Sequence, residues 1–175
     1  MFILRDLPSL DELRALASRY PGLDPEPVAA LLGFMRSAYE IFQAAESMFA
    51  QQGTSCGRFA ILALLNRDPE GSRSPSQIAG ACGVTRATIT GLLDGLEHDR
   101  LISRSRSHAD RRTIQVRLTA AGRRFLDQLL PDHFRRLALL MQGLDADERA
   151  ALSRSTDRIA ANLPAFTAPE PARPR

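Results

Sequence analysis

Apolar residues recur at helical spacing through most of the chain, and they alternate in only one short stretch. Ser9-Leu10-Asp11-Glu12 has the form of a capping box. Leu10, Leu13, Leu16, Ala17 and Tyr20 give one apolar side to a short helix that Pro21-Gly22 ends. Asp24-Pro25 opens a long helix whose stripe, from Val28 through Leu31, Leu32, Met35, Tyr39, Phe42 and Ala45 to Phe49, runs down to Gln52-Gly53. So long a stripe predicts a large partner surface. Thr54 or Ser55 caps the next helix, apolar at Phe59, Leu62, Ala63 and Leu65, and Asp68-Pro69-Glu70-Gly71 closes it.

The pattern changes between Ser74 and Thr119. Ser74-Pro75-Ser76-Gln77 supplies a capping serine, a proline pre-set for the first helical position and a glutamine to cap back. Ile78, Ala79 and Cys82 face one side, and Gly83 offers the left-handed stop. Thr85 caps a second helix with Ile89, Leu92, Leu93 and Leu96 inward, which leaves Ala87, Thr88, Thr90, Gly91, Asp94 and His98 outward and Arg86 in the exposed first turn. Small, hydrogen-bonding residues on an outward face let a helix sit deep in a DNA major groove. The segments 101–106 and 113–118 then alternate with period two around a polar run, predicting a β-hairpin with Ile114, Val116 and Leu118 on the protein and Gln115 and Arg117 outward.

Downstream, Thr119 caps a long helix carrying Phe125, Leu126, Leu129, Leu130, Phe134, Leu137 and Met141, which Pro131 should bend. Gly143-Leu144 ends it, Asp145 caps a last helix with Ala151, Leu152, Ile159 and Leu163 on its inner face, and four prolines from Pro164 onward make a tail that cannot build a core.

Charge sharpens the reading of the hairpin. The chain has 175 residues and a formal net charge of only +3. Yet six arginines (100, 104, 106, 111, 112 and 117) stand against the single acid Asp110 between Arg100 and Arg117. Unbalanced positive charge beside a groove-reading helix predicts phosphate and minor-groove contact. All 23 Lys/Arg-class residues are arginine, so chemistry that needs a P-loop, Schiff-base or kinase lysine is excluded. No nucleophile motif or acid pair stands out, and His98, His108 and His133 are scattered. An enzyme, a metal site and a cofactor are therefore not expected. The two cysteines, Cys56 and Cys82, match neither a metal spacing nor a disulfide framework. The start of the chain does not read as a signal peptide and no apolar run is long enough to span a bilayer, so a cytoplasmic protein without membrane contact is expected.

The run from Ile78 to Glu97, then Leu101-Ile102, Asp110-Arg111-Arg112 and Leu118-Thr119-Ala120-Ala121-Gly122, resembles the MarR family of bacterial winged-helix regulators. Recognition helix, wing and the Leu-Thr-x-x-Gly start of the following helix come in the family's order and spacing. The resemblance implies a mainly α fold of the α+β winged-helix type, a winged helix-turn-helix flanked by long helices that interlock into a two-fold homodimer on double-stranded DNA. It implies a regulator, read as a repressor, at a pseudo-palindromic operator. Contacts to bases and phosphates would come from Thr85, Arg86, Ala87, Thr88, Thr90 and Gly91, with Ser74 and Ser76 at the backbone and Arg104, Arg106, Arg111 and Arg112 from the wing. Arg112 matches the arginine that enters the minor groove. Asp110 would shape the hairpin, and Asp94 would pair with Arg112 to set the wing's angle.

The expected organisation is an N-terminal extra helix (1–23), a helical dimerisation region (24–53 and 119–163), the winged helix-turn-helix (54–118) and a disordered Pro-rich tail (164–175). Family members often bind small aromatic or phenolic anions in a crevice between dimer helices and winged helix, for which Tyr39, Phe42, Phe49 and Phe59 are the candidates here. Two other readings stay open. One is a thiol redox sensor at Cys56, whose position at a helix start would favour the thiolate; the other is a winged helix that binds protein and not DNA.

Overall fold

Most of the helices start where a side chain satisfies an orphan amide. The computed structural model describes residues 6–68, 71–106 and 113–168. In it α1 (Leu10–Ala17), α4 (Pro75–Cys82) and α7 (Ala146–Ala161) each begin with a reciprocal capping box, Ser9 with Glu12, Ser74 with Gln77 and Asp145 with Glu148. Ser55 caps α3 (Cys56–Asn66) and Thr85 caps α5 (Arg86–His98). Proline opens α2 (Pro25–Gln51) at the position where its missing N–H costs nothing. Gly83 ends α4 at φ +65°, in the left-handed region, which makes the sharp turn into α5 possible.

Two strands follow, β1 (Ile102–Arg106) and β2 (Ile114–Leu118), paired antiparallel with Ile102 opposite Leu118, Arg104 opposite Val116 and Arg106 opposite Ile114. On its other side Val116 exchanges two backbone hydrogen bonds with Arg73, at 3.1 and 2.9 Å, so the hairpin is tied to the residue just before α4. Helix α6 (Ala120–Leu140) starts on a tight crossing. The Thr119 hydroxyl donates to the carbonyls of Arg100 (2.7 Å) and Leu101 (3.0 Å) and accepts from the Gly122 amide (3.0 Å). A β-carbon at Gly122 would lie 2.1 Å from the Leu101 carbonyl oxygen, so only glycine lets the helix pass. The Leu-Thr-x-x-Gly motif is thus the clasp between the wing's exit and the end of α5. Across Pro131 α6 remains one continuous helix.

The chain clusters into two units, Met1–Leu126 and Asp127–Arg175. The first has its core in Ile61, Leu62, Ile78, Ile89, Leu93, Leu96, Ile102 and Val116, all fully or almost fully buried. It includes α2, which the sequence grouping had placed with the helices after the wing. Within one chain the stacked rings of Phe49 and Phe59 tie α2 to α3. The extra helix α1 lies on α2 of its own chain, with Leu13 buried and the Arg14 guanidinium donating to Glu26 at 2.8 Å. In the second unit α7 buries no residue of its own. The tail expected to be disordered from Pro164 instead begins with a short helix, α8 (Leu163–Thr167), because Pro164 stands at its first turn and Thr167 bonds back to the Leu163 carbonyl. It buries nothing.

Candidate nucleic-acid interface

On α5 the apolar stripe of Ile89, Leu93 and Leu96 is inside, and Arg86, Ala87, Thr88, Thr90, Gly91 and Asp94 are exposed. Thr85 is exposed as well, and its hydroxyl takes the Thr88 amide (3.2 Å) and meets the Thr88 hydroxyl at 2.9 Å. The Thr90 hydroxyl donates back to the Arg86 carbonyl at 2.9 Å. At the start of α4 Ser76 is exposed and Ser74 half-buried, its hydroxyl committed to the Gln77 amide. A rod with methyls, hydroxyls and no bulky side chain along its outer middle, headed by one arginine, has the shape and chemistry to enter a major groove.

The hairpin corrects one expectation, at Ile114, and gives Arg104 partners within the chain. Cross-strand partners share a face. Ile102 and Leu118 are buried, and the next pair on that face, Arg104 and Val116, also points at the protein. Arg104, expected at phosphates, therefore lies against α5. It donates to Asp94 at 2.7 Å and stands 3.5 Å from a Glu97 oxygen, with 22% of its side chain exposed. The third pair, Arg106 and Ile114, is exposed. Ile114 is 46% accessible and does not lie on the protein, because the hairpin has left the helices at that point. Asp110, Arg111 and Arg112 lie outside the described residues, so the wing partner of Asp94 seen here is Arg104.

Sequence reasoning missed the struts that neutralise the acids of α5. Arg104 engages Asp94 and Glu97, and Arg58 of α3 is hydrogen-bonded to Asp99, which ends α5. That hydrogen bond holds the Asp99 carboxyl below the usual carboxylate range. A carboxylate close to phosphate is costly unless a cation neutralises it. Each of the three acids at the back half of the helix thus has an arginine within ion-pair distance, Arg104 serving two of them. Nothing local betrays Arg58 and Asp99, 41 residues apart. Arg104 was open to discovery, since it stands two residues after the inward Ile102.

The aromatic candidates do not gather. Phe49 is buried and stacks on Phe59 at 4.4 Å between centroids. Phe42 is 55% exposed and Tyr39 half-buried, about 10 and 15 Å further up α2 from Phe49 at the helical rise. Cys56 does sit at the start of α3, yet it is not activated. Burial and the Glu46 carboxylate, which takes the Cys56 amide at 3.0 Å and its thiol, push the thiol pKa up to about 12. The helix start that was expected to favour a thiolate is occupied by a fixed anion. Among the described residues no three His, Cys, Asp or Glu side chains are grouped to hold a metal, and no helix is long and apolar enough to cross a membrane.

These elements make a winged helix-turn-helix with an uncluttered groove-reading helix. The MarR family model matches residues 55–114. The HTH-type transcriptional repressor YetL of Bacillus subtilis is 34% identical over 146 residues, covering 83% of this chain and 87% of YetL. Among solved structures, the transcriptional repressor CouR bound to a 23-mer DNA duplex is 30% identical with a TM-score of 0.67, covering 79% of this chain and 98% of that one. Bordetella bronchiseptica BpsR, whose DNA binding is regulated by 6-hydroxynicotinic acid, shares the fold at 24% identity and a TM-score of 0.64, over 73% of this chain and 91% of that one. The chain belongs to the MarR family and is a DNA-binding transcriptional regulator.

Proposed function

We propose that the protein is a homodimeric repressor. Two copies bind a pseudo-palindromic duplex, each laying α5 into one of two successive major grooves with its wing along the flanking minor groove, and a small aromatic or phenolic ligand releases the DNA. The observation that carries this reading is the outward face of α5, where Arg86, Ala87, Thr88, Thr90 and Gly91 are exposed and every acid behind them is paired with arginine. Arg86 and the positive ends of α4 and α5, behind Ser74 and Thr85, are suited to phosphates and base edges. Arg106 and, beyond it in sequence, Arg111 and Arg112 supply guanidinium groups for the minor groove.

Dimerisation is supported by apolar surface that a single chain leaves open. On α2 Leu31, Phe34, Met35, Ile41 and Phe42 are exposed; on α6 so are Phe134, Leu137, Leu139 and Leu140. Large apolar side chains exposed in this number on each helix mark interaction faces, and a closed two-fold pair would cover them while giving two recognition helices. Repression accords with the named activity of YetL. Ligand control accords with the named regulation of BpsR, and of the four candidate aromatic residues Phe42 and Tyr39 are the two outside the Phe49–Phe59 stack.

Sedimentation of the full chain tests the assembly. A species of twice the 19.2 kDa chain, bound as one dimer per duplex, is expected, and a monomer that binds DNA singly would overturn it. Titrating phenolic and pyridine carboxylic acids into the complex tests the switch. Weakened DNA binding by at least one is expected, and no response to the panel would remove the effector.

A further inference from the structure

The outward middle of α5 is poor in hydrogen-bond donors although two of its side chains are hydroxylic. Thr90 has turned its hydroxyl back to the Arg86 carbonyl at 2.9 Å, and Thr88 shares its hydroxyl with Thr85 at 2.9 Å. With the Thr90 oxygen fixed on the helix, the tetrahedral β-carbon sends the γ-methyl away from that carbonyl. Next to it stand Ala87, which is only a methyl, and Gly91, which is nothing. A β-carbon built on Gly91 meets no atom within 4 Å, so no contact inside the chain calls for glycine there. Glycine nevertheless weakens a helix interior relative to alanine. What it provides is close approach for a body from outside.

We infer that the middle of this helix reads thymine 5-methyl groups by apolar contact of Thr90 and Ala87, with Gly91 letting the base edge come close, while hydrogen-bond readout of bases falls to Arg86. The inference rests on the proposed placement of α5 in the major groove. In that groove the 5-methyl is what distinguishes thymine from every other base as an apolar group, and alanine and threonine methyls are its natural partners. Burial of one methyl corresponds to about a fourfold change in binding constant.

The test uses a duplex recovered by selection from a random-sequence pool with the full chain, prepared either with thymine or with uracil, which lacks only the methyl. Uracil should weaken the wild-type protein about fourfold for each contacted position, hence about sixteenfold when one such position is changed in both half-sites. Thr90→Ser keeps the hydroxyl and loses the methyl, and should lose the discrimination at its position. Thr90→Val keeps a methyl and should retain it. Equal binding of the two duplexes by the wild type would overturn the inference, as would a full uracil penalty in Thr90→Ser. A chain that selects no duplex at all would overturn the placement of α5 as well, so the two failures are distinguishable.

Discussion

Removing Arg104 separates two roles that a wing arginine can play. Its guanidinium sits 2.7 Å from Asp94 and 3.5 Å from Glu97, with side-chain exposures of 22%, 60% and 43% for the three residues. Partners so exposed limit the pair's own worth to about 1 kcal/mol of stability, so Arg104→Ala should remain folded. Its larger effect should be on DNA binding. It frees two carboxylates on the helix that faces phosphate and releases β1 from α5, for an expected loss of about tenfold, or roughly 1.4 kcal/mol. Because Arg104 neutralises carboxylates and no phosphate, the slope of log K against log salt should not change. A lost phosphate contact would lower that slope by about 0.9. In the background of Asp94→Ala, part of the penalty of Arg104→Ala should vanish, since the repulsive carboxylate is gone. Fluorescence-anisotropy titrations over a range of salt measure both quantities. A slope reduced by about 0.9, with the same loss in both backgrounds, would refute the strut and return Arg104 to the phosphates.

Other positions give independent checks. Gly122→Ala forces a β-carbon to within 2.1 Å of the Leu101 carbonyl and should destabilise the fold by about 3 kcal/mol, read as a lowered denaturant midpoint; an unshifted midpoint would contradict the clasp. Glu46, whose pKa is lowered by the Cys56 thiol and then the Cys56 amide, contributes stability that is present above the ordinary carboxylate range and lost as pH falls through its depressed folded value. Glu46→Gln should therefore flatten the acid limb of the stability curve below about pH 5, and an unaltered limb would remove the linkage. With its thiol pKa near 12, Cys56 should react far more slowly with iodoacetamide at neutral pH in the folded chain than in denaturant. Peroxide should release DNA no faster from wild type than from Cys56→Ser, and a faster wild-type release would reinstate the thiol switch.

What sequence could foretell was what neighbours along the chain decide. The caps at Ser9, Ser74, Thr85 and Asp145, the stop at Gly83 and the inward stripe of α5 depend on residues within one or two turns, and they stand as the spacing predicts. The Leu-Thr-x-x-Gly motif was recognisable by likeness, but its cause, a helix crossing a carbonyl 21 residues earlier in the chain, is visible only in space. Alternation correctly gave the hairpin and then failed at Ile114, since period two says which residues share a face and not where that face runs out of protein. The same periodicity placed Arg104 beside Ile102, yet its charge pulled the expectation outward; the acids of α5 that hold it inside belong to another element. Helical spacing likewise cannot tell a ring that stacks within the chain, as Phe49 does, from one left exposed, as Phe42 is.

The most direct test of the central claim is methylation interference on a selected duplex bound by the full chain. The account predicts two symmetry-related clusters of major-groove interference at guanine N7, about 10 bp apart from centre to centre, flanked on their outer sides by minor-groove interference at adenine N3. A single cluster, or interference confined to the minor groove, would contradict it.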